Sequence, residues 1–210
     1  MGAIGDPYIS LSELKQYLNI DEDKVEQEPN LLSAIESASR EVEQYCGRQF
    51  NRDEVASTRL FEPDSRSLVR VDDFWSTTDL AVALRYAGGD QDFGTTDYAL
   101  YPLSGVVDGN PGWPYYRIEF EYPVLPYYVG RKRAGHRGVV AVTAKWGWED
   151  VPSTVIQATK LLAAQTHRMA EAPLGVTGMN NQFGGPVRVR DLPQVATKLN
   201  RFVSTPIMVG

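Results

Sequence analysis

Residues 146–171 read Trp146-Gly147-Trp148-Glu149-Asp150-Val151-Pro152 and then STVIQATKLLAAQTHRMAE, and this stretch decides the fold. It ends a strand and starts the longest helix pattern in the chain. Upstream, residues 139–144 (VVAVTA) are β-branched and apolar, which predicts a strand. Pro152 suits a first helical position, where its missing N–H costs nothing. Val155, Ala158, Leu162 and Met169 fall on one helical face, with Ile156 and Ala163 beside them. Pro173 and Gly175 stop the pattern. The expected helix has about 20 residues and a length of roughly 30 Å. His167 lies outside that stripe with Glu171 one turn on, and reads as a surface pair.

A helix of this kind needs partners, and the N-terminal fifty residues offer two. Ser10-Leu11-Ser12-Glu13 has the form of a capping box, followed by Leu11, Leu14, Tyr17 and Leu18 on one face. That predicts a short first helix closing near Asn19. Residues 21–28 form an acidic loop. A second helix opens at Pro29 or Asn30 and carries Leu31, Leu32, Ile35, Ala38, Val42 and Tyr45 or Cys46 on its apolar side. Gly47 suits a left-handed C-cap, and Phe50 is placed to fold back. Two such short helices cannot bury their stripes alone, so they wait for the third, about 100 residues later.

Between them the period changes to that of strands. Segments 58–61, 67–71, 80–86, 98–101, 116–120 and 139–145 are strand-like. Gly, Pro and Asp clusters separate them at 63–64, 88–90 and 108–112. The fold class expected is therefore α+β. A small four-helix bundle, discontinuous in sequence (1–50 and 151–202), carries an inserted antiparallel β-sandwich or barrel (51–150). After the long helix, 175–185 is a Gly- and Asn-rich loop and 187–190 a short extended piece. Pro193 starts a last helix, and 203–210 is a C-terminal arm. Expected core positions are Leu14, Leu18, Ile35, Val42, Cys46, Trp146, Trp148, Ile156 and Leu162.

The charge is uneven. Residues 1–50 carry ten acids and four bases, while residues 151–210 carry two acids and six bases, within a net charge of −6. An acidic total argues against a protein whose main work is gripping DNA phosphates. An acidic front and a basic back invite head-to-tail contact between copies, or contact within one chain. No apolar run approaches the length of a membrane span. The first residues lack the basic start and apolar core of a signal peptide, so a cytosolic product is expected.

Candidate chemistry is sparse. Cys46 is the single cysteine. As a nucleophile it needs a histidine base, but it lies on an apolar helix stripe, where a thiol only packs. His136 and His167 lack any HExxH-like spacing, and no metal or other cofactor is expected. Asp72-Asp73 and Glu149-Asp150 are paired acids at expected strand ends, where they serve acid/base chemistry or bound turns and cap helices. Asp150 is placed to cap the helix at Pro152. A hydrolase reading would use Asp72, Asp73 or His136. The basic loop with Arg131, Lys132, Arg133 and Arg137 follows Tyr127 and Tyr128. It has three readings: a phosphate-backbone contact, a solvated hairpin tip, or a dock for an acidic neighbour. Ile207, Met208, Val209 and Gly210 end the chain in apolar character, as a loose end or as an arm that orders on a partner.

These pieces together resemble a known family. A short capped helix (YISLSELKQYLNI), a second helix ending in EVEQYCGRQF, a β insert closed by VTAKWGWEDVP and then a long helix are similar to the head-to-tail adaptors of tailed bacteriophages, also called head–tail connectors. Tyr45-Cys46-Gly47-Arg48 with Phe50, and Trp146-Gly147-Trp148 with Val151-Pro152, carry the likeness. The resemblance implies a structural virion protein rather than an enzyme. It implies a ring, usually dodecameric, beneath the portal in the virion neck, with a stopper or tail protein below. Double-stranded DNA would pass through without specific binding, and no membrane would be involved. The resemblance also implies that 203–210, with Ile207, Met208, Val209 and Gly210, reaches the portal. Alternatives are a stopper or tail-terminator neck protein, or a DNA-binding module using the 131–137 loop.

Overall fold

The computed structural model describes residues 4–86, 89–123, 139–171 and 188–204. Among the described residues the chain forms four α-helices and six strands, an α+β fold. It divides into two compact units: Asn51–Asp150, which holds the described strands, and Ile4–Phe50 with Val151–Gly210, which holds the described α-helices.

In the helical unit, α1 spans Leu11–Leu18. The Glu13 N–H donates to Ser10 Oγ at 3.2 Å and the Ser10 N–H donates to the Glu13 carboxylate at 2.9 Å, a complete capping box. Asn19, at φ 56°, closes the helix in the left-handed conformation. Helix α2, Glu28–Cys46, has Pro29 in its first turn and ends at Gly47 with φ 62°. Helix α3 is Ser153–Glu171 and α4 is Pro193–Leu199. The Pro152 carbonyl accepts from Val155 and Ile156, so the proline stands just ahead of α3 rather than inside it.

Leu14, Leu31, Ile35, Val42, Cys46, Val155, Ala158, Leu162, Val195 and Leu199 fill the core of this unit. Each large aliphatic among them contributes about 1.5–3 kcal/mol on burial. Phe50 does fold back. Its ring lies edge-on to Tyr8 at 5.8 Å and to Phe202 at 5.7 Å. The Tyr8 hydroxyl accepts from the Phe50 N–H and donates to Glu43, so the polar end of the cluster is satisfied.

Some helix positions differ from the sequence reading. Leu18 and Ile156 are half-buried, and Tyr17 and Leu32 are exposed. Lys15 and His167 are buried instead. Beside Ala158 and Leu162, the packed face of α3 includes Val155, Thr159, Ala163 and His167, a row of i+4 steps in which position outweighs polarity. His167 is therefore buried, not at the surface as its polarity suggests. Residues 189–191 form a 3-10 turn rather than an extended piece.

The β unit is one antiparallel sheet with strand order β1-β6-β2-β5-β4, and β3 also on β2. Its strands are Ser57–Phe61 (β1), Leu68–Tyr86 (β2), Gly89–Phe93 (β3), Tyr98–Tyr101 (β4), Tyr115–Phe120 (β5) and Val139–Trp146 (β6). Two expected strands, 67–71 and 80–86, are parts of the single β2. Asp72 and Asp73 therefore lie inside a strand and not at its end. The path is open: neither a second sheet nor closure into a barrel is seen among the described residues.

The sheet is nonetheless strongly bent, and β2 is where it bends. Phe93 pairs with Val82, whereas the Phe120 N–H reaches the Ser67 carbonyl at the other end of β2. A straight strand would separate those two points by about 50 Å. The Phe93 and Phe120 rings are 4.7 Å apart. The register shifts between Phe74 and Ala81, with Asp79 at φ 65°, supply the turn.

Candidate interaction surfaces

The residues around Trp146-Gly147-Trp148 form a clasp at the mouth of the β unit. The chain enters the unit at 51–53 and leaves it at 146–149. Those two segments are bonded to one another. The Asp53 N–H donates to the Trp146 carbonyl at 2.8 Å, and the Trp148 N–H to the Asn51 carbonyl at 3.3 Å. Arg52 Nη1 reaches the Glu149 carbonyl at 2.8 Å. Trp146 Nε1 donates to the Ser57 carbonyl, and Trp148 Nε1 to the Asp73 carboxylate. Entry and exit are thus held side by side, which is what an insertion into another unit requires.

This clasp also answers the hydrolase reading. Asp73 holds Trp148 through its carboxylate and Gly147 through its carbonyl. Asp72, on the opposite face of the strand, holds Arg59 at 2.7 Å. The two carboxylates do not converge. Among the described residues no group of three or more His, Cys, Asp and Glu side chains could hold a metal ion. Cys46 is fully buried, and burial pushes its thiol up to about 12, so it is not a thiolate nucleophile at neutral pH. His136, the basic loop Arg131, Lys132, Arg133 and Arg137, the 175–185 loop, and Ile207 to Gly210 lie outside the described residues.

A basic and aromatic grouping does occur on the sheet. Trp75 has Arg52 at 4.8 Å and Lys145 at 5.9 Å from its ring, and Arg59 lies 4.5 Å from the Trp146 ring. Each cation already meets an acid: Arg52 with Glu54, Arg59 with Asp72, and Lys145 with Asp79. The grouping is charge-compensated and offers little to a phosphate backbone.

What remains is exposed apolar surface. In the β unit, Leu103 and Val106 stand out on a loop stiffened by turns. Gly105, Val106 and Trp113 N–H groups bond back to Pro102, Leu103 and Gly105, and Trp113 packs on Trp148. Leu103 is 60% exposed on this rigid support. Val55 and Leu60 are exposed near the free edge strand β1. In the helical unit, Val25 and Leu32 are exposed at the start of α2 and Val203 at the end of the described chain. The Ser204 N–H donates to the Cys46 carbonyl at 2.7 Å, which fixes Ser204 at the end of α2.

The acidic loop is likewise fixed. Lys15 Nζ donates to the Glu22 carbonyl at 2.8 Å and to Glu28 Oε1 at 2.7 Å. Sequence reasoning missed this staple, because an isolated lysine in an amphipathic helix reads as solvated. The one available signal was its place beside Leu14 and ahead of an acid-rich loop.

Residues 8–78 match the phage gp6-like head-tail connector protein family. The connector match covers α1, α2, β1 and most of β2. Two solved chains have a similar fold over their length. One comes from the neck of an empty gene transfer agent particle, computed with C6 symmetry. It has a TM-score of 0.55 and 19% identity, and the match covers 100% of this chain and 96% of that one. The other, from the virion of a native gene transfer agent particle, has a TM-score of 0.54 and 18% identity, over 100% and 96% of the two chains. No curated protein matches the chain. The connector likeness therefore rests on a family match at the N-terminal side and on a shared fold throughout.

Proposed function

We propose that this chain is a structural component of a phage-type neck, forming a ring between the portal and the tail or stopper and letting DNA pass. The observation that carries the reading is the match of residues 8–78 to the head-tail connector family. The fold shared with a neck chain of a gene transfer agent particle supports it. A helical unit into which a β unit is inserted favours an adaptor over a mostly β stopper.

The ring size expected for adaptors, twelve copies, is compatible with a six-fold axis like that of the neck particle. A chain of net charge −6 repeated around a channel would repel DNA phosphates rather than bind them. The tail beyond Ser204, with Ile207, Met208, Val209 and Gly210, is proposed to dock on the portal. Ser204, just before it, is bonded to the end of α2, which suits such an arm.

Electron cryo-microscopy of the chain mixed with the portal of the same particle tests this. A ring seated on the portal is the expected result. Bare portal, with folded chain in excess, would sink the proposal. Deleting 205–210 is expected to abolish seating while leaving the melting temperature unchanged. A deletion that unfolds the chain would assign the tail to the core instead.

A further inference from the structure

We infer that the two ends of helix α2 are complementary docking surfaces for a second copy of this chain, joined head to tail. The inference rests on the ring reading above and names the surfaces that would join its members.

At the start of α2 the 21–28 loop presents Asp21, Glu22, Asp23 and Glu26, all exposed, against the single exposed base Lys24. Val25 and Leu32 flank Glu28, one by a backbone bond and one a helical turn on, and both are exposed. Lys15 holds the loop in this position. The other end of α2 carries the opposite charge. The Val189 N–H bonds Glu41, and Tyr45 bonds Asn200, which fixes the 188–204 segment to the last turns of α2. That segment displays Arg188, Arg190 and Arg201, with Lys198 half-buried, and exposes Val203. The acids on the same segment and on the last turns of α2 are Asp191, which accepts from the Arg188 N–H, and Glu41 and Glu43. Of these, Glu41 accepts from a backbone N–H and Glu43 is engaged by Arg40 and Tyr8.

One helix of 19 residues thus separates an acid-rimmed apolar surface from a base-rimmed one by about 27 Å. Like ends repel, so a two-fold dimer that joined acidic end to acidic end is disfavoured. Unlike ends attract, which selects a heterologous contact. Such contacts build rings or filaments and leave no face self-paired. The partner is a copy of this chain, because the complementary surface is present in the chain itself.

Charge reversal tests this with full-length chains. One variant carries D21K, D23K and E26K; a second carries R188E and R190E; a third carries all five changes. All side chains replaced are exposed, and circular dichroism with thermal melting checks that each variant folds. Ring occupancy on the portal is read by electron cryo-microscopy, and self-association in solution by sedimentation velocity at low and high salt. Each single-end variant is expected to lose about tenfold or more in association. The five-fold variant is expected to regain it, since both ends are reversed together. Single-end variants that close rings and associate like the unaltered chain would overturn the inference while leaving the neck reading standing. An unaltered chain that self-associates through these ends yet never seats on the portal would sink the neck reading alone. An unaltered chain that neither associates at low salt nor seats would overturn both.

Discussion

Gly147 crosses Asn51 so closely that a Cβ built on the glycine would stand 1.8 Å from the Asn51 carbonyl oxygen. The Arg52 Cα would be only 2.8 Å away. Gly147 also sits at φ 98°, a conformation that side chains rarely adopt. Both obstacles are backbone, which has nowhere to move, because the same residues carry the bonds that hold the mouth of the β unit.

Gly147→Ala is therefore expected to destabilise the β unit by about 3 kcal/mol or more. Urea unfolding followed by tryptophan fluorescence measures it, since all four tryptophans lie in the β unit. A variant within about 0.5 kcal/mol of the parent would mean the crossing relaxes easily.

Lys15 is 1% exposed yet charged, and its bonds to the Glu22 carbonyl and Glu28 are what fix the acidic loop. Removing the ammonium leaves Glu28 without that donor and releases the loop. Lys15→Ala is expected to cost about 2 kcal/mol. Hydrogen exchange should locate the change: amides of 20–28 should exchange faster, while those in the middle of α2 stay protected. Lys15→Met restores most of the packing but not the loop protection, which separates the two contributions.

How far the fold was legible follows from where its signals are local. The capping box at Ser10 and Glu13 and the left-handed stop at Gly47 depend on a few adjacent residues, and the sequence states them openly. Strand β2 is different. Residues 72–80, DFWSTTDL after the first aspartate, read as a polar break, because Asp72, Asp73 and Asp79 are poor strand formers. They stay in the strand because distant residues compensate them: Arg59 pairs Asp72, Trp148 binds Asp73 and Lys145 meets Asp79. Strand β3, GDQDF, shows no apolar alternation and is held by pairing with β2. Lys15 and His167 were hidden for the same reason, since burial of a polar side chain is decided by its surroundings. The clasp was half legible. The Trp-Gly-Trp motif stood out, but its partners Asn51 and Asp73 did not.

Cys46 offers a probe of the helical core. It is fully buried, and burial raises its thiol to about 12, so both access and ionisation oppose reaction. A thiol-specific disulfide reagent at neutral pH is expected to leave the native protein unmodified. In unfolding concentrations of urea it should label one thiol per chain. Rapid labelling of the native protein would mean that the α2 end opens readily.

Glu13 links the first helix to the third and gives a stability change with a defined pH sign. The backbone N–H of Ser10 holds its carboxyl below the ordinary value, assisted by Lys160 at 3.0 Å, against a smaller opposing effect of burial. A carboxylate with a depressed folded-state pKa stabilises the fold above its unfolded pKa. That stability is lost as pH falls through the folded pKa. Glu13→Gln keeps an acceptor for the Ser10 N–H but removes the charge. At neutral pH the variant is expected to melt below the parent by a small margin, because Glu13 is partly exposed and solvent screens its pair with Lys160. As the pH drops below the ordinary glutamate range, the two melting curves should converge, since the parent then carries a neutral carboxyl too. High salt should narrow the neutral-pH gap by screening the Lys160 contribution, while the part due to the Ser10 N–H persists. A gap that stayed constant from neutral to acid pH would assign the loss to packing of the side chain rather than to its charge.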